Sequence, residues 1–171
     1  MNRLQLATLL SWAGETGLQG RKRLQKVVYF LQAAGCPLEC VYTLHHFGPY
    51  SCDVADACDE IVAAGLVEET GGPRFGSQYV YQLMPITRQF LEQTIDEEMQ
   101  RFEQLGKELI GSDIWQLELG STILFYFSQS TDQDWDQALQ LACQFKRVSP
   151  ALPASQSALK LAKRFHSVDA T

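Results

Sequence analysis

Cys36 and Cys40 stand four residues apart, and His45 and His46 follow closely. Cysteine and histidine at such spacing are the side chains that hold zinc or pair as a nucleophile and its base. The sequence completes neither chemistry. No second Cys/His pair sits at finger-like distance, and there is no nucleophile elbow, phosphate loop or carboxylate dyad. Cys52 and Cys58 read as small helix residues, with Cys58 on the apolar face. His45 and His46 read as neighbours on an extended segment, one facing in and one out. The expectation is a protein with no metal, no cofactor and no catalytic residue.

Charge is the second source of chemistry. Arg21, Lys22, Arg23 and Lys26 gather at the start of a helix, where the dipole disfavours positive charge. Such a cluster calls for an anionic partner or for acidic neighbours within the fold, since helix N-termini bind anions. Gln25 and Tyr29 lie beside it, with Tyr29 read as core. A second helix carries Asp53, Asp56, Asp59 and Glu60, with no Lys or Arg between 51 and 64. A second basic cluster comprises Lys146, Arg147, Lys160, Lys163 and Arg164, with no acidic residue between 146 and 164. The whole chain of 171 residues has a net charge of −6, which gives no global attraction to nucleic acid or an anionic membrane.

The elements that position these residues follow from spacing. Residues 4–12 predict a first helix ended by Gly14 and Gly17, a better reading than a signal peptide because Gln5 and Thr8 interrupt the apolar run. Leu24, Val27, Val28 and Leu31 share one face of a second helix over residues 21–34. A short extended segment over 41–47 leads to the corner Phe47-Gly48-Pro49-Tyr50. Ser51 is the expected side-chain N-cap of a third helix, with Asp53 favourably placed near its start and Gly65 after its end. Residues 66–69 and 79–83 alternate like paired strands around a turn-rich loop that contains Arg74.

The remainder reads as helices. Residues 87–109 predict one long charged helix ended by Gly111, with i, i+4 pairs on its exposed side. Residues 117–127 form a very apolar helix. Thr131 to Asp134 resembles a capping box for a helix that buries Trp135, Ala138, Leu139, Ala142 and Phe145. Pro150 and Pro153 precede a last helix over 155–165. The longest dense apolar run, residues 123–127, is far too short to span a membrane. Five cysteines, an odd number, fit a reducing cytoplasm better than a disulfide framework.

Two motifs carry a resemblance. Arg21-Lys22-Arg23-Leu24-Gln25-Lys26-Val27-Val28-Tyr29-Phe30-Leu31, then Tyr42, then Phe47-Gly48-Pro49-Tyr50-Ser51 and the stretch 61–67, resemble the YwgA-like proteins and the related Panacea antitoxin-type domain. The resemblance covers roughly a third of the chain, and Arg147-Val148-Ser149-Pro150 extends it weakly. It implies a compact helical domain of winged-helix type. Panacea-type membership implies neutralisation of a toxin by protein contact. The resemblance brings no catalytic residues.

The expected architecture is mainly α within the α+β class. A winged-helix-like domain with a β-hairpin wing spans 1–86, and a helical part spans 87–171. The apolar segment 117–127 must dock on the first domain or on a second copy in a homodimer. The expected function is non-enzymatic binding of a protein partner. The residues in contact would be Arg21, Lys22, Arg23, Lys26, Tyr50, Asp53, Asp56, Asp59 and Glu60. The alternative is a DNA-binding regulator that uses the basic clusters 21–26 and 146–164. It is disfavoured because the third helix, which enters the major groove in such proteins, is acidic.

Overall fold

A computed structural model describes residues 1–72, 76–94 and 96–166. Helix α1, Arg3–Ser11, opens on a capping box. The Asn2 side chain accepts from the Gln5 N–H, and the Gln5 side chain accepts from the Asn2 N–H. A 3-10 turn, Gly14–Thr16, leads into the two-residue strand β1, Leu18–Gln19, which spacing alone does not predict.

Helix α2, Arg21–Ala33, is the centre of the molecule. Every residue from Leu24 to Leu31 is buried, including Gln25 and Lys26. A one-sided helix became a helix covered on all sides because α6, α7 and α9, defined below, pack around it. Strands β2, Thr43–His45, and β3, Gly48–Tyr50, form a hairpin in which Thr43 pairs with Tyr50 and His45 with Gly48. Helix α3, Cys52–Ala63, buries Val54, Ala57, Cys58 and Ile61 at helical spacing, and Gly65 follows in the left-handed region at φ +68°. Strands β4, Val67–Thr70, and β5, Val80–Leu83, then pair antiparallel, and β1 joins the other edge of β5 to give the order β1-β5-β4. The expected wing residue Arg74 lies outside the described residues.

The predicted single helix over 87–109 is corrected to three pieces: α4, Pro85–Gln93, α5, Glu97–Gln100, and α6, Glu103–Gly111. Thr94 leaves helical geometry, and the Asp96 carboxylate then accepts from the Met99 N–H to start a new helix. The breaks turn Met99 and Phe102 into the core, which a continuous charged helix could not do. The Glu103–Lys107 i, i+4 pair forms as expected.

Helix α7, Ile114–Gln129, is capped by Asp113 and packs against α2, α8 and α9 of the same chain. Its apolar stretch is thereby covered without a second copy. Helix α8, Trp135–Lys146, is capped by Asp134, whose side chain accepts from the Asp136 and Gln137 N–H groups; the Thr131 capping box is not the one used. Ala138, Leu139 and Ala142 are buried in α8, whereas Phe145 keeps about a third of its surface in solvent. Helix α9, Pro153–His166, begins two residues earlier than predicted, with proline at its first position. The protein is mostly helical with a small antiparallel sheet, and among the described residues no helix is long and apolar enough to cross a membrane.

Candidate functional site

The second helix and the corner that launches the third are locked side by side. The Gln25 amide donates to the Ser51 carbonyl and accepts from the Ser51 N–H, both at 2.9 Å. One residue on, the Lys26 ammonium donates to the Pro49 carbonyl at 2.6 Å. Ser51 therefore occupies the N-cap position without capping by its side chain, a correction to the expectation. Its hydroxyl is turned instead to the Asp53 carboxylate, to which it donates at 3.4 Å. Asp53 instead fixes the strand side, accepting from the Val41 N–H at 2.7 Å.

Lys26 overturns its expected place on an exposed basic surface, since only 2% of its surface reaches solvent. Helical spacing put it with Lys22, but the hairpin and α7 close over it. Glu118 of α7 is the nearby acid. It is an ion-pair partner of Lys22 at 3.2 Å and of Lys146 at 2.6 Å, and Lys146 also donates to the His46 carbonyl. Burial alone would raise the Glu118 pKa, but the Lys146 and Lys22 ammonium groups outweigh it and hold the carboxylate below its usual range. For Lys26 burial dominates and lowers the pKa to about 7, Glu118 opposing and Lys146 and Lys22 adding to the fall.

The remaining basic residues of α2 are also spoken for within the fold. Arg21 meets Glu69 at 2.8 Å and Asp59 at 3.7 Å. Arg23 donates to the carbonyls of Ile110 and Ser112 at the end of α6, where a cation suits the helix dipole. Of the acidic set, Glu60 pairs with Arg3 at 3.3 Å. Asp53, Asp56, Asp59 and Glu60 are all exposed along α3, and Asp56 forms no ion pair among the described residues. Tyr50 is half-buried, with its ring stacked on His45 at 4.8 Å.

His45 and His46 are both exposed, which corrects the expected in–out alternation: His46 already belongs to the turn between β2 and β3. Cys36 and Cys40 are buried, and the Cys36 thiol, pushed up to about 12 chiefly by burial, donates to the Met99 sulfur. Among the described residues no group of three or more His, Cys, Asp or Glu is placed to hold a metal ion. The second basic cluster is dispersed. Lys146 faces Glu118, Arg164 pairs with Glu108, and Arg147 caps α8 in the left-handed region.

Between the start of α2, the β2–β3 turn and α3 lies a cavity of about 370 Å³. Leu24, Val54, Tyr50 and Cys58 supply apolar wall, and Lys26 and Tyr81 line it as well. The residues missed by sequence reasoning are Glu118 and Tyr81. A lone acid inside the apolar α7 stretch was a readable signal for a buried cation; Tyr81 gave none.

Fold and site together define a mostly helical α+β protein in which a buried lysine, Lys26, is bonded to the Pro49 carbonyl beside the Lys22–Glu118–Lys146 ion-pair junction. No family model matches the chain. It is similar to the uncharacterised protein YwgA of Bacillus subtilis (strain 168), with 26% identity over 162 residues, 84% of this chain and 96% of that protein. The likeness supports a YwgA-like family.

Proposed function

We propose that this chain is a winged-helix-type regulatory module that acts by binding a basic protein partner through α3, in an antitoxin-like manner and without chemistry of its own. Residues 1–86 form the module and residues 87–171 its helical support, in a reducing cytoplasm that suits five free thiols. The order α1-β1-α2-β2-β3-α3-β4-β5, with β1 beside β5 and the β2–β3 hairpin set between α2 and α3, supports the winged-helix reading.

The observation that carries the proposal is the solvent side of α3, where Asp53, Asp56, Asp59 and Glu60 stand exposed. Asp59 and Glu60 meet Arg21 and Arg3 within the fold, which leaves Asp53 and Asp56 without an ion pair among the described residues; set against a phosphate-lined groove these repel, whereas a lysine- or arginine-rich protein surface complements them. The basic residues of α2 do not offset this for DNA, because carboxylates or carbonyls within the fold already engage them.

The test is co-purification from the source cells with the native chain and with the triple variant Asp56→Lys, Asp59→Lys, Glu60→Lys, alongside titration with labelled duplex DNA at low salt. The expected result is a basic partner retained by the native chain and lost by the variant, with DNA bound by neither at low micromolar concentration. A partner that survives the reversal, or tight salt-sensitive DNA binding by the native chain, overturns the reading.

A further inference from the structure

We propose that the cavity between α2, α3 and the β2–β3 turn binds a small apolar monoanion, an organic carboxylate with a ring or short alkyl body, held at its charged end by the Lys26 ammonium. The proposal is independent of the protein-binding reading of α3.

Size and wall come first. About 370 Å³ lies in the range of small-molecule sites and suits a compact metabolite. Leu24, Val54, Tyr50 and Cys58 give such a molecule apolar contact.

Charge selects the class. Around the cavity stand Arg21, Lys22, Lys26 and Lys146, and among the described residues the ion pairs of these cations are with Asp59, Glu69 and Glu118. Arg21 is matched by Glu69 and Asp59, and both Lys22 and Lys146 draw on Glu118. Lys26 is left with no ion pair among the described residues and one hydrogen bond, to a carbonyl. An ammonium has three protons to donate, so two are unspent in a site with little access to water. A buried cation without a counter-ion is costly, and one carboxylate delivered into the cavity removes that cost. A single unmatched positive charge fits a monoanion rather than a phosphate dianion. Tyr81, 1% exposed, closes the same cavity with its ring, its hydroxyl turned to the Glu69 carboxylate. Burial, then the neighbouring Glu69 carboxylate, keep that hydroxyl protonated.

A proton linkage follows. The charged groups facing Lys26 are Lys22 on α2, Glu118 on α7 and Lys146 on α8; His45, His46 and Tyr50 of the hairpin, Cys58 of α3 and Tyr81 of β5 line the same cavity. With its pKa lowered to about 7, Lys26 is charged below that value and binds an anion without taking up a proton. Above it, each anion bound must bring a proton, so affinity falls about tenfold per pH unit.

The experiment titrates the full isotope-labelled chain with 3-phenylpropionate and, separately, with its uncharged amide, followed by NMR at about pH 6 and about pH 8.5. The carboxylate is expected to shift Lys26, Tyr50, Cys58 and Tyr81 signals and to bind at least about tenfold tighter than the amide at the lower pH. Lys26→Met is expected to abolish that preference while amide binding persists. The pH series on the unsubstituted chain tests the same point if that variant fails to fold, and a His45→Gln, His46→Gln variant should keep the pH dependence. Equal binding of acid and amide, shifts confined to another region, or no shift into the millimolar range each overturn the proposal.

Discussion

Gly48 is the position where a single methyl group should do most damage. Its φ of +92° lies in the region that side chains rarely adopt, at a strain of about 1–2 kcal/mol. A Cβ there would also stand 2.5 Å from the Thr122 Oγ1, 3.4 Å from the Glu118 carbonyl oxygen and 3.5 Å from the Lys26 Nζ. Thr122 cannot yield freely, because its hydroxyl donates to that same Glu118 carbonyl at 2.7 Å. Overpacking of this kind costs about 1–3 kcal/mol. Gly48→Ala should therefore destabilise by about 2–5 kcal/mol. Gly65→Ala separates the two contributions, since Gly65 has φ +68° and nothing within 4 Å of its Cβ position; it should lose only the strain, about 1 kcal/mol. Urea unfolding followed by circular dichroism reads both. Adding Thr122→Ala to Gly48→Ala should recover about 1 kcal/mol or more relative to additivity. If Gly48→Ala is no worse than Gly65→Ala, or if the double variant is simply additive, the close packing of the hairpin on α7 is wrong.

Three further outcomes are expected. In the native chain a thiol reagent should label Cys52 quickly and the other four cysteines only on unfolding, because those four are buried and the Cys36 and Cys58 thiols are pushed up to about 12; rapid labelling of two or more sites contradicts this. Arg147→Gly should stabilise by about 0.5–1 kcal/mol, read as a higher Tm, since Arg147 ends α8 at φ +57°. Glu118→Gln should cost about 1–3 kcal/mol in urea unfolding, because it strands the two ammonium groups that share the carboxylate. The sign with pH follows. The Glu118 pKa is lowered in the fold, so its stabilisation is present at neutral pH and is lost on acidification through and below the ordinary carboxylate range. The gap between native and Glu118→Gln stability should close in that window.

Apolar spacing made α2, α3 and α8 legible, because each buries a stripe that the pattern displays. Strands β4 and β5 were legible from alternation on either side of a Gly-rich turn. The strand β1 was not, since two residues carry no period and only pairing with β5 defines them. The end of α4 at Gln93 and the restart at Glu97 were hidden for a different reason. The charges of 87–109 satisfy a helical pattern locally, and it is the demand of the core for Met99 and Phe102 that cuts the helix. Lys26 was misplaced because helical geometry gives a face but not what covers it. The covering groups, Pro49 and Glu118, lie 23 and 92 residues away in sequence, beyond any local pattern.

The two motifs behind the resemblance turn out to be halves of one joint. Leu24-Gln25-Lys26 and Gly48-Pro49-Tyr50-Ser51 meet through the paired Gln25–Ser51 bonds and the Lys26–Pro49 bond. Their separation of about twenty residues is the length of chain needed to finish α2, turn, and return along the hairpin to the point level with Gln25. Motifs of this kind report architecture first: they fix the start of α3 against α2, and they do so with side chains that are buried and already bonded. The recognition proposed above would fall to groups that the joint holds in place but does not bond. On the outside Asp56 forms no ion pair among the described residues, and on the inside Lys26 keeps two protons unspent. Because one joint positions both, a change at Gly48 or Gln25 should disturb the outer face and the cavity together, whereas Asp56→Lys should alter the outer face and leave the cavity intact.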